Sequence, residues 1–540
     1  MNAVIARLRD SVDITGRGLT AAPVGEDGRS RLDELTTTSW AQVHRLGRNV
    51  AGALQAAGVA PGDAVAVLAG APGEIAPLVQ GIWMCGASVT MLHHPTHRSD
   101  MAAWLADTGS ALAAVGATTV VVGDPFLSAA HDVSAVTARS LLLPELLAGS
   151  PGRIVTAADD AIAFLQLTSG STGRPKAVCI SYRNIDANMA AMIAASRADA
   201  ESDVVVSWLP LFHDMGMMGY LIAPMCYGLD TVSVTPVDFL ANPLLWAELI
   251  TTHRGTMTAA PNFAYALLAR RLRKASDGTF DLSSLRFALS GAEAIDVATL
   301  DRVAAEGARF GLRADALIPA YGMAEATLAV SFVRPGEGYR ICPPHPAAAQ
   351  GERRVALGRP LPGCEVRVAA DDRSPIGELE IRGDNVTAGY RTEAGFEPAT
   401  DAAGWLPTGD LGYLTDDGQP VICGRKKDIL IISGRNVHPE DIERSVHGVA
   451  GVRPGGVAAV RLSAAAAGEG FTMVAESTSH ADTAESGRIR AEIADRVFRR
   501  LGVSPRGVHV VPAGWIPKTS SGKLRRQETA ERLRHREPAR

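Results

Sequence analysis

The stretch LTSGSTGRPKAV, residues 167–178, places four hydroxyl residues and two glycines ahead of a proline and a lysine. Glycines let backbone N–H groups approach an anion closely, and the hydroxyls of Thr168, Ser169, Ser171 and Thr172 add donors. Lys176 adds a compact positive charge. This chemistry suits phosphate, yet the spacing is not that of the common phosphate loop, G-x-x-x-x-G-K-[ST]. Here Gly173 is followed by Arg174 and Pro175 before Lys176, and Ala177 stands where the hydroxyl would be. Taken alone, the stretch also reads as a flexible Gly/Ser surface loop.

Four further stretches hold residues able to do chemistry. WLPLFHDMG (208–216) sets His213 beside Asp214, and YGMAEAT (321–327) carries Tyr321 and Glu325. TGDLG and GRKKD (408–428) carry Asp410, Arg425 and Lys427, and PKTSSGKLRR (517–526) carries Lys523. Each has a bland alternative. A lone histidine after a strand is often structural, Asp410-Leu411-Gly412 fits an ordinary turn, and Lys523 fits a solvated lysine in a basic tail. The cluster HHPTHR (His93, His94, His97) has no carboxylate or cysteine in register and reads as a loop at a strand end rather than a metal site.

The chain that must position these residues has 540 of them, enough for two or more domains. Its 46% hydrophobic and 21% charged content fits a globular enzyme, and a net charge of -5 argues against a nucleic-acid partner. The basic tail KLRRQETAERLRHREPAR is interspersed with acids and reads as a solvated helix. Six cysteines (85, 179, 226, 342, 364, 423) lie far apart without a CxxC pair, so buried thiols in a reducing compartment are expected. The charged N-terminus lacks the apolar core of an export signal, which points to a cytoplasmic protein. Residues 75–92 carry no charge, but Pro77, Gln80, Gly81 and Gly86 interrupt them, so they read as a buried helix followed by a strand rather than a membrane span.

Short apolar runs such as AVAVLAG (64–70), SVTML (88–92) and TVVVG (119–123) alternate with helical patterns, which argues for parallel sheets covered by helices. The pattern restarts at AIAFLQL (161–167), running straight into the Gly-rich loop, and a loop after a strand is where doubly wound folds bind ligands. Beyond about residue 330 the texture turns to hairpins, GELEIRG and LGYLTDDGQPVICGR, the latter with an Asp417-Gly418 turn signal. From about residue 427 a small α/β unit follows.

In this order, and over roughly residues 40–530, the five motifs resemble the adenylate-forming enzymes: acyl-CoA synthetases, firefly-type luciferases and peptide-synthetase adenylation domains. The resemblance implies an α/β fold with a large N-terminal domain (1–426) and a small mobile C-terminal α/β domain (427–540). The large domain would comprise two doubly wound α/β subdomains, about 1–160 and 161–345, and a small β-barrel-like subdomain, about 346–426. It implies a carboxylate that attacks the α-phosphate of ATP, giving an acyl-adenylate and pyrophosphate, and an acyl group then passed to a thiol. The loop from Thr168, Ser169, Gly170, Ser171, Thr172 and Gly173 to Lys176 would hold the departing phosphates. By the same resemblance Glu325 would bind Mg²⁺, a single carboxylate sharing the ion with phosphate oxygens and waters. Tyr321, with Gly322 and Met323, and the backbone of Gly291, Ala292 and Glu293 would flank adenine. Asp410 would accept from the ribose hydroxyls with help from Arg425, and His213 would sit by the reacting carboxylate and α-phosphate. Lys523 would swing in to bridge them where negative charge accumulates, about a hinge at Lys427.

Within this superfamily the stretches 204–228, 235–250 and 255–271, together with APNFAY (260–265) and GRNVHPEDIE (434–443), resemble the fatty acyl-AMP ligases. In those enzymes the activated fatty acid goes to the phosphopantetheine arm of an acyl carrier protein. Arg435 follows Gly434 where most acyl-CoA synthetases have a second glycine. The segment 331–356 is short where many members of this branch carry an insertion linked to refusal of coenzyme A, a shortness shared with enzymes that acylate siderophores of the mycobactin type. The acyl pocket is expected between the large subdomains, near Trp208, Met217, Met218, Phe263 and Tyr265. An acyl-CoA synthetase using free coenzyme A and a catalytically dead acyl- or nucleotide-binding protein are the alternatives. Retention of Lys523, Glu325, Asp410 and Lys176 together argues against the second.

Overall fold

The computed structural model describes the chain except residues 1, 15, 96–100, 138, 169–174, 344–352, 370–375, 433–434, 462–469, 519–523 and 537–540, and the side chains of residues 431, 435, 436 and 536. Two eight-stranded sheets dominate it. The first is built on Ala64–Leu68, Ser88–Met91, Thr119–Val122 and Arg139–Leu142, which run parallel as their largely β-branched, apolar runs favour. Helix Pro72–Met84 packs against it, buried along almost its whole length, and the strand Ser88–Met91 follows. The uncharged run is therefore core, and no described helix is long and apolar enough to cross a membrane.

The expected boundary near residue 160 divides the chain but not the sheets. Ile162–Thr168 pairs parallel with Ser88–Met91, and Lys176–Ser181 continues the same first sheet. Gly389–Thr392 and Gly395–Pro398 return from the third subdomain to close its edge. Conversely, Gly18–Ala21 and Thr36–Ser39 cross over to the second sheet, where Gly18–Ala21 pairs parallel with Asp230–Ser233. Alternation of apolar runs is a local signal and says nothing about which distant strand each will pair with.

The Gly-rich loop follows a strand, as the sequence reading has it, and lies between two strands. Its flanking strands, Ile162–Thr168 and Lys176–Ser181, pair antiparallel, with Thr168 opposite Lys176. The helix Tyr182–Ser196, with its Ser181/Asn184 capping box, begins only after the second strand. Among the described residues no helix N-terminus follows the loop directly.

The third subdomain holds an open antiparallel sheet in the order Cys364–Ala369, Gly377–Gly383, Leu406–Leu414, Pro420–Arg425, with the Asp417-Gly418 turn between the last two. The C-terminal unit is a three-stranded sheet, Val457–Val460, Thr472–Glu476 and Gly507–Val511, with helix Thr483–Leu501 on one face. The basic tail is not a freely solvated helix. Arg526–Arg536 buries Ala530 and Leu533 against Val460, Val474 and Val511 on the other face, because its sparse apolar residues share one side.

Candidate active site

The site forms where the three N-terminal sheets meet. Leu406–Leu414 and Pro420–Arg425 pair so that Asp410 lies directly opposite Arg425. Asp410 is only 4% exposed. It forms an ion pair with Arg425, Nε to Oδ1 at 2.7 Å, and accepts from the Tyr321 hydroxyl, brought by strand Leu317–Gly322 of the second sheet, at 2.7 Å. Burial, reinforced by the Asp410 charge, pushes the Tyr321 phenol well above its ordinary value, so it remains a neutral donor. Burial works against the Arg425 charge, but the Asp410 carboxylate, with Glu325 behind it, outweighs that and raises the guanidinium above its ordinary value. A buried carboxylate fixed in this way is suited to accept from a vicinal diol, as the ribose reading needs.

Glu325 lies on the short turn Ala324–Ala326 that leaves the Tyr321 strand, half-buried. Its carboxylate accepts from the Tyr390 hydroxyl at 2.9 Å. The Tyr390 ring in turn carries the Lys176 ammonium 3.5 Å from its centroid. Burial, then the Glu325 charge, pushes the Tyr390 phenol up as well. Among the described residues no group of three or more His, Cys, Asp or Glu side chains is arranged to hold a metal ion by itself. A single half-buried carboxylate facing a phosphate-type lysine fits a Mg²⁺ that draws its other ligands from phosphate and water.

Backbone strain marks the same place. Of four non-glycine residues with positive φ among those described, Arg197 and Arg254 cap helix C-termini, whereas Ala292 (φ 64°) and Thr327 (φ 67°) flank the expected adenine and metal positions. Glu293 also supports the fold locally, since its carboxylate accepts from the Phe263 N–H at 2.6 Å and caps helix Asn262–Leu272. His213 Nδ1 lies 2.5 Å from Asp214, which caps the π-helix Met215–Ile222. An eight-residue π-helix is uncommon and such helices concentrate at functional sites. Burial pushes the His93 imidazole down, and His213 together with Arg525 of the C-terminal unit adds to the effect. Lys518 of that unit likewise feels Glu293.

Thr168, Lys176, His213, Ala292, Glu293, Tyr321, Glu325, Asp410 and Arg425 are thus described, while Ser169, Gly170, Ser171, Thr172, Gly173 and Lys523 lie outside the described residues, as does His97. Lys427 is exposed on the turn Lys426–Asp428 between the units. The expected pocket residues divide between two cores. Trp208 stacks on Phe239 at 3.8 Å and joins Trp246 and Tyr265 in the second-sheet core, with Phe263 packed against it. Met217 and Met218 are buried in the first-sheet core.

Sequence reasoning missed Tyr390, which sits in an unremarkable polar run. It also missed Asn188, whose amide exchanges two hydrogen bonds with the backbone of Ala329 (2.8 and 3.0 Å) and ties helix Tyr182–Ser196 to the strand after Glu325. Neither residue has a neighbour in sequence that signals its role.

The model of the AMP-binding enzyme family matches residues 20–391. The chain belongs to that family. Within it, a Mycobacterium tuberculosis protein provisionally named ligase Rv1013 is 49% identical over 506 residues, 90% of this chain and 93% of that one. The long-chain-fatty-acid–AMP ligase FadD26 of Mycobacterium marinum is 32% identical over 92% of this chain and 91% of its own. Among solved structures, one from a study of fatty acyl-adenylate ligases of E. coli and L. pneumophila is 27% identical, with a TM-score of 0.86, over 99% of this chain and 98% of its own. The family relationship makes this chain an ATP-dependent adenylate-forming enzyme, and the Asp410, Glu325 and Lys176 cluster is the candidate for its nucleotide site.

Proposed function

We propose that this enzyme is a fatty acyl-AMP ligase: it joins a medium- or long-chain fatty acid to ATP as an acyl-adenylate, releases pyrophosphate, and passes the acyl group to the phosphopantetheine thiol of an acyl carrier protein. The observation that carries the reading is the convergence of Asp410, Tyr321, Arg425, Glu325 and Lys176 from three sheets, in a chain related along nearly all its length to fatty acid–AMP ligases.

Asp410, oriented by Tyr321 and Arg425, holds the ribose. Lys176 and the loop before it attract the β- and γ-phosphates and stabilise them as they leave. His213, fixed by Asp214, orients the attacking carboxylate, and Lys523 adds positive charge where the carboxylate meets the α-phosphate. Mg²⁺, bound by Glu325 with phosphate oxygens, would neutralise phosphate charge. Rotation about Lys427 would then withdraw Lys523 for thiol transfer.

Relatives of equal similarity leave a second substrate class to separate: the 4-hydroxyphenylalkanoate adenylyltransferase of M. tuberculosis is also 32% identical, over 93% of this chain. The test is ATP–pyrophosphate exchange driven by a panel of fatty acids and 4-hydroxyphenylalkanoates, followed by transfer to free coenzyme A or to a phosphopantetheinylated carrier. Exchange with long fatty acids and transfer to carrier alone supports the reading. Exchange only with the aryl acids, or equal turnover with coenzyme A, overturns it. Lys523→Ala should abolish adenylate formation but spare transfer from preformed acyl-AMP, and equal loss of both steps would remove its assigned role.

A further inference from the structure

Lys176 and Glu325 face the same space with opposite charge, and nothing in the sequence keeps them from pairing with each other. They do not pair. Tyr390 stands between them, offering its ring face to the Lys176 ammonium at 3.5 Å and its hydroxyl to the Glu325 carboxylate at 2.9 Å. Tyr390 is itself firmly held. Its strand, Gly389–Thr392, pairs with Lys176–Ser181, setting Tyr390 opposite Val178. Three residues earlier, Thr387 donates its N–H to the Glu325 carbonyl at 2.8 Å and its hydroxyl to the Cys179 carbonyl at 2.6 Å. The loop before Tyr390 is therefore pinned both to the Glu325 turn and to the Lys176 strand.

We infer that Tyr390 is a positioning residue that keeps the phosphate-binding lysine and the metal-binding carboxylate apart, at a spacing a metal-bound triphosphate can enter. This rests on the proposed roles of Lys176 and Glu325. The physical argument is one of preorganisation. A direct Lys–Glu ion pair would have to be broken each time ATP bound, whereas a ring face and a phenol satisfy both groups more weakly and release them readily. A hydroxyl on Glu325 also fixes the carboxylate's orientation before any metal arrives, as partners of metal ligands commonly do.

The test uses two substitutions in the full-length enzyme, with ATP binding measured by calorimetry with and without Mg²⁺. Tyr390→Phe keeps the ring over Lys176 and removes only the hydroxyl. It should leave metal-free ATP binding unchanged and raise the Mg²⁺ concentration needed to tighten that binding by about tenfold, the lower end of the scale for losing one hydrogen bond to a charged group. Tyr390→Leu should weaken ATP binding in both conditions. Glu325→Gln is the control for the reading beneath. If Glu325→Gln shifts the Mg²⁺ dependence and Tyr390→Phe does not, the inference fails while the metal site stands. If neither shifts it, the metal reading fails and takes the inference with it. Equal weakening by Tyr390→Phe with and without Mg²⁺ also overturns the inference, because a merely structural tyrosine would behave that way.

Discussion

In the candidate site, single side chains have their ordinary properties adjusted by two or three neighbours. Asp410 is the plainest case, buried and held by one phenol and one guanidinium. Replacing it with alanine leaves Tyr321 and Arg425 without that acceptor and removes the proposed ribose contact. Asp410→Ala should weaken ATP binding by about 1.5–3 kcal/mol, roughly 10- to 150-fold in Kd. Calorimetric titration of the folded variant checks this, and an unchanged Kd would take Asp410 out of the nucleotide site. The motif TGDLG announced this aspartate, but its partners at 321 and 425 come from a different sheet and a neighbouring strand.

At the level of elements, helix Pro72–Met84 shows how packing alters a group far from the chemistry. Glu74, in its first turn, accepts from the Asp124 N–H at 3.3 Å. Burial first, then the charge of Asp124, raises its carboxyl to about 7. A carboxyl whose folded value lies above its unfolded one favours folding most below about 4.5, and that contribution is lost as pH rises through 7. Glu74→Gln keeps the acceptor without the charge. The variant and wild type should therefore melt together at pH 4 or below, and the variant about 2 °C or more higher at pH 8. A melting difference that does not grow with pH would refute the burial argument. A second tie at this scale, Asn188 to Ala329, holds the strand that follows Glu325. Asn188→Ala would leave the buried Ala329 N–H without this acceptor and its carbonyl with the longer Asn385 donor at 3.4 Å, at about 1–3 kcal/mol of stability in chemical denaturation. No loss on denaturation would mean that water replaces the amide.

The whole molecule is joined across the turn Lys426–Asp428 by a buried ion pair. Arg354, on a strand of the third subdomain, donates twice to Asp441 at 2.9 Å, and Asp441 lies on helix Pro439–Ser445 of the C-terminal unit. Both side chains are almost inaccessible, at 7% and 0%. Close packing adds to it, since a Cβ on Gly424 would lie 2.3 Å from His438 Nδ1. Asp441 also pairs with Arg444 within its own unit. If the C-terminal unit rotates, Asp441 keeps a partner while Arg354 becomes hydrated, so the pair favours the present arrangement without forbidding departure. Arg354→Met should shift the balance toward separated units by about 1–2 kcal/mol, part of the cost of breaking a buried pair. Trypsin cleavage at Lys426 and Lys427 should then rise about tenfold, and small-angle scattering should report a larger radius. Unchanged cleavage and scattering would show that the pair does not hold the units together.

By itself the sequence pointed to the family and to candidate residues for its chemistry, in their order along the chain. The loop residues, Glu325 in YGMAEAT, Asp410 in TGDLG and Lys523 near the end are local patterns, and local patterns survive as text. It also determined the buried character of Pro72–Met84 and the hairpin at Asp417-Gly418, because apolar runs and turn residues act on their immediate neighbours. Tertiary structure alone decided that Ile162–Thr168 joins the first sheet, that the Gly-rich loop sits between antiparallel strands, and that Gly389–Thr392 returns to deliver Tyr390 between Lys176 and Glu325. It also turned a tail read as solvated into a docked helix whose Arg526 pairs with Asp428, Glu440 and Glu443. Strand pairing and ion-pair choice depend on which surfaces meet after the chain has folded back over long stretches, and no window of neighbouring residues carries that information.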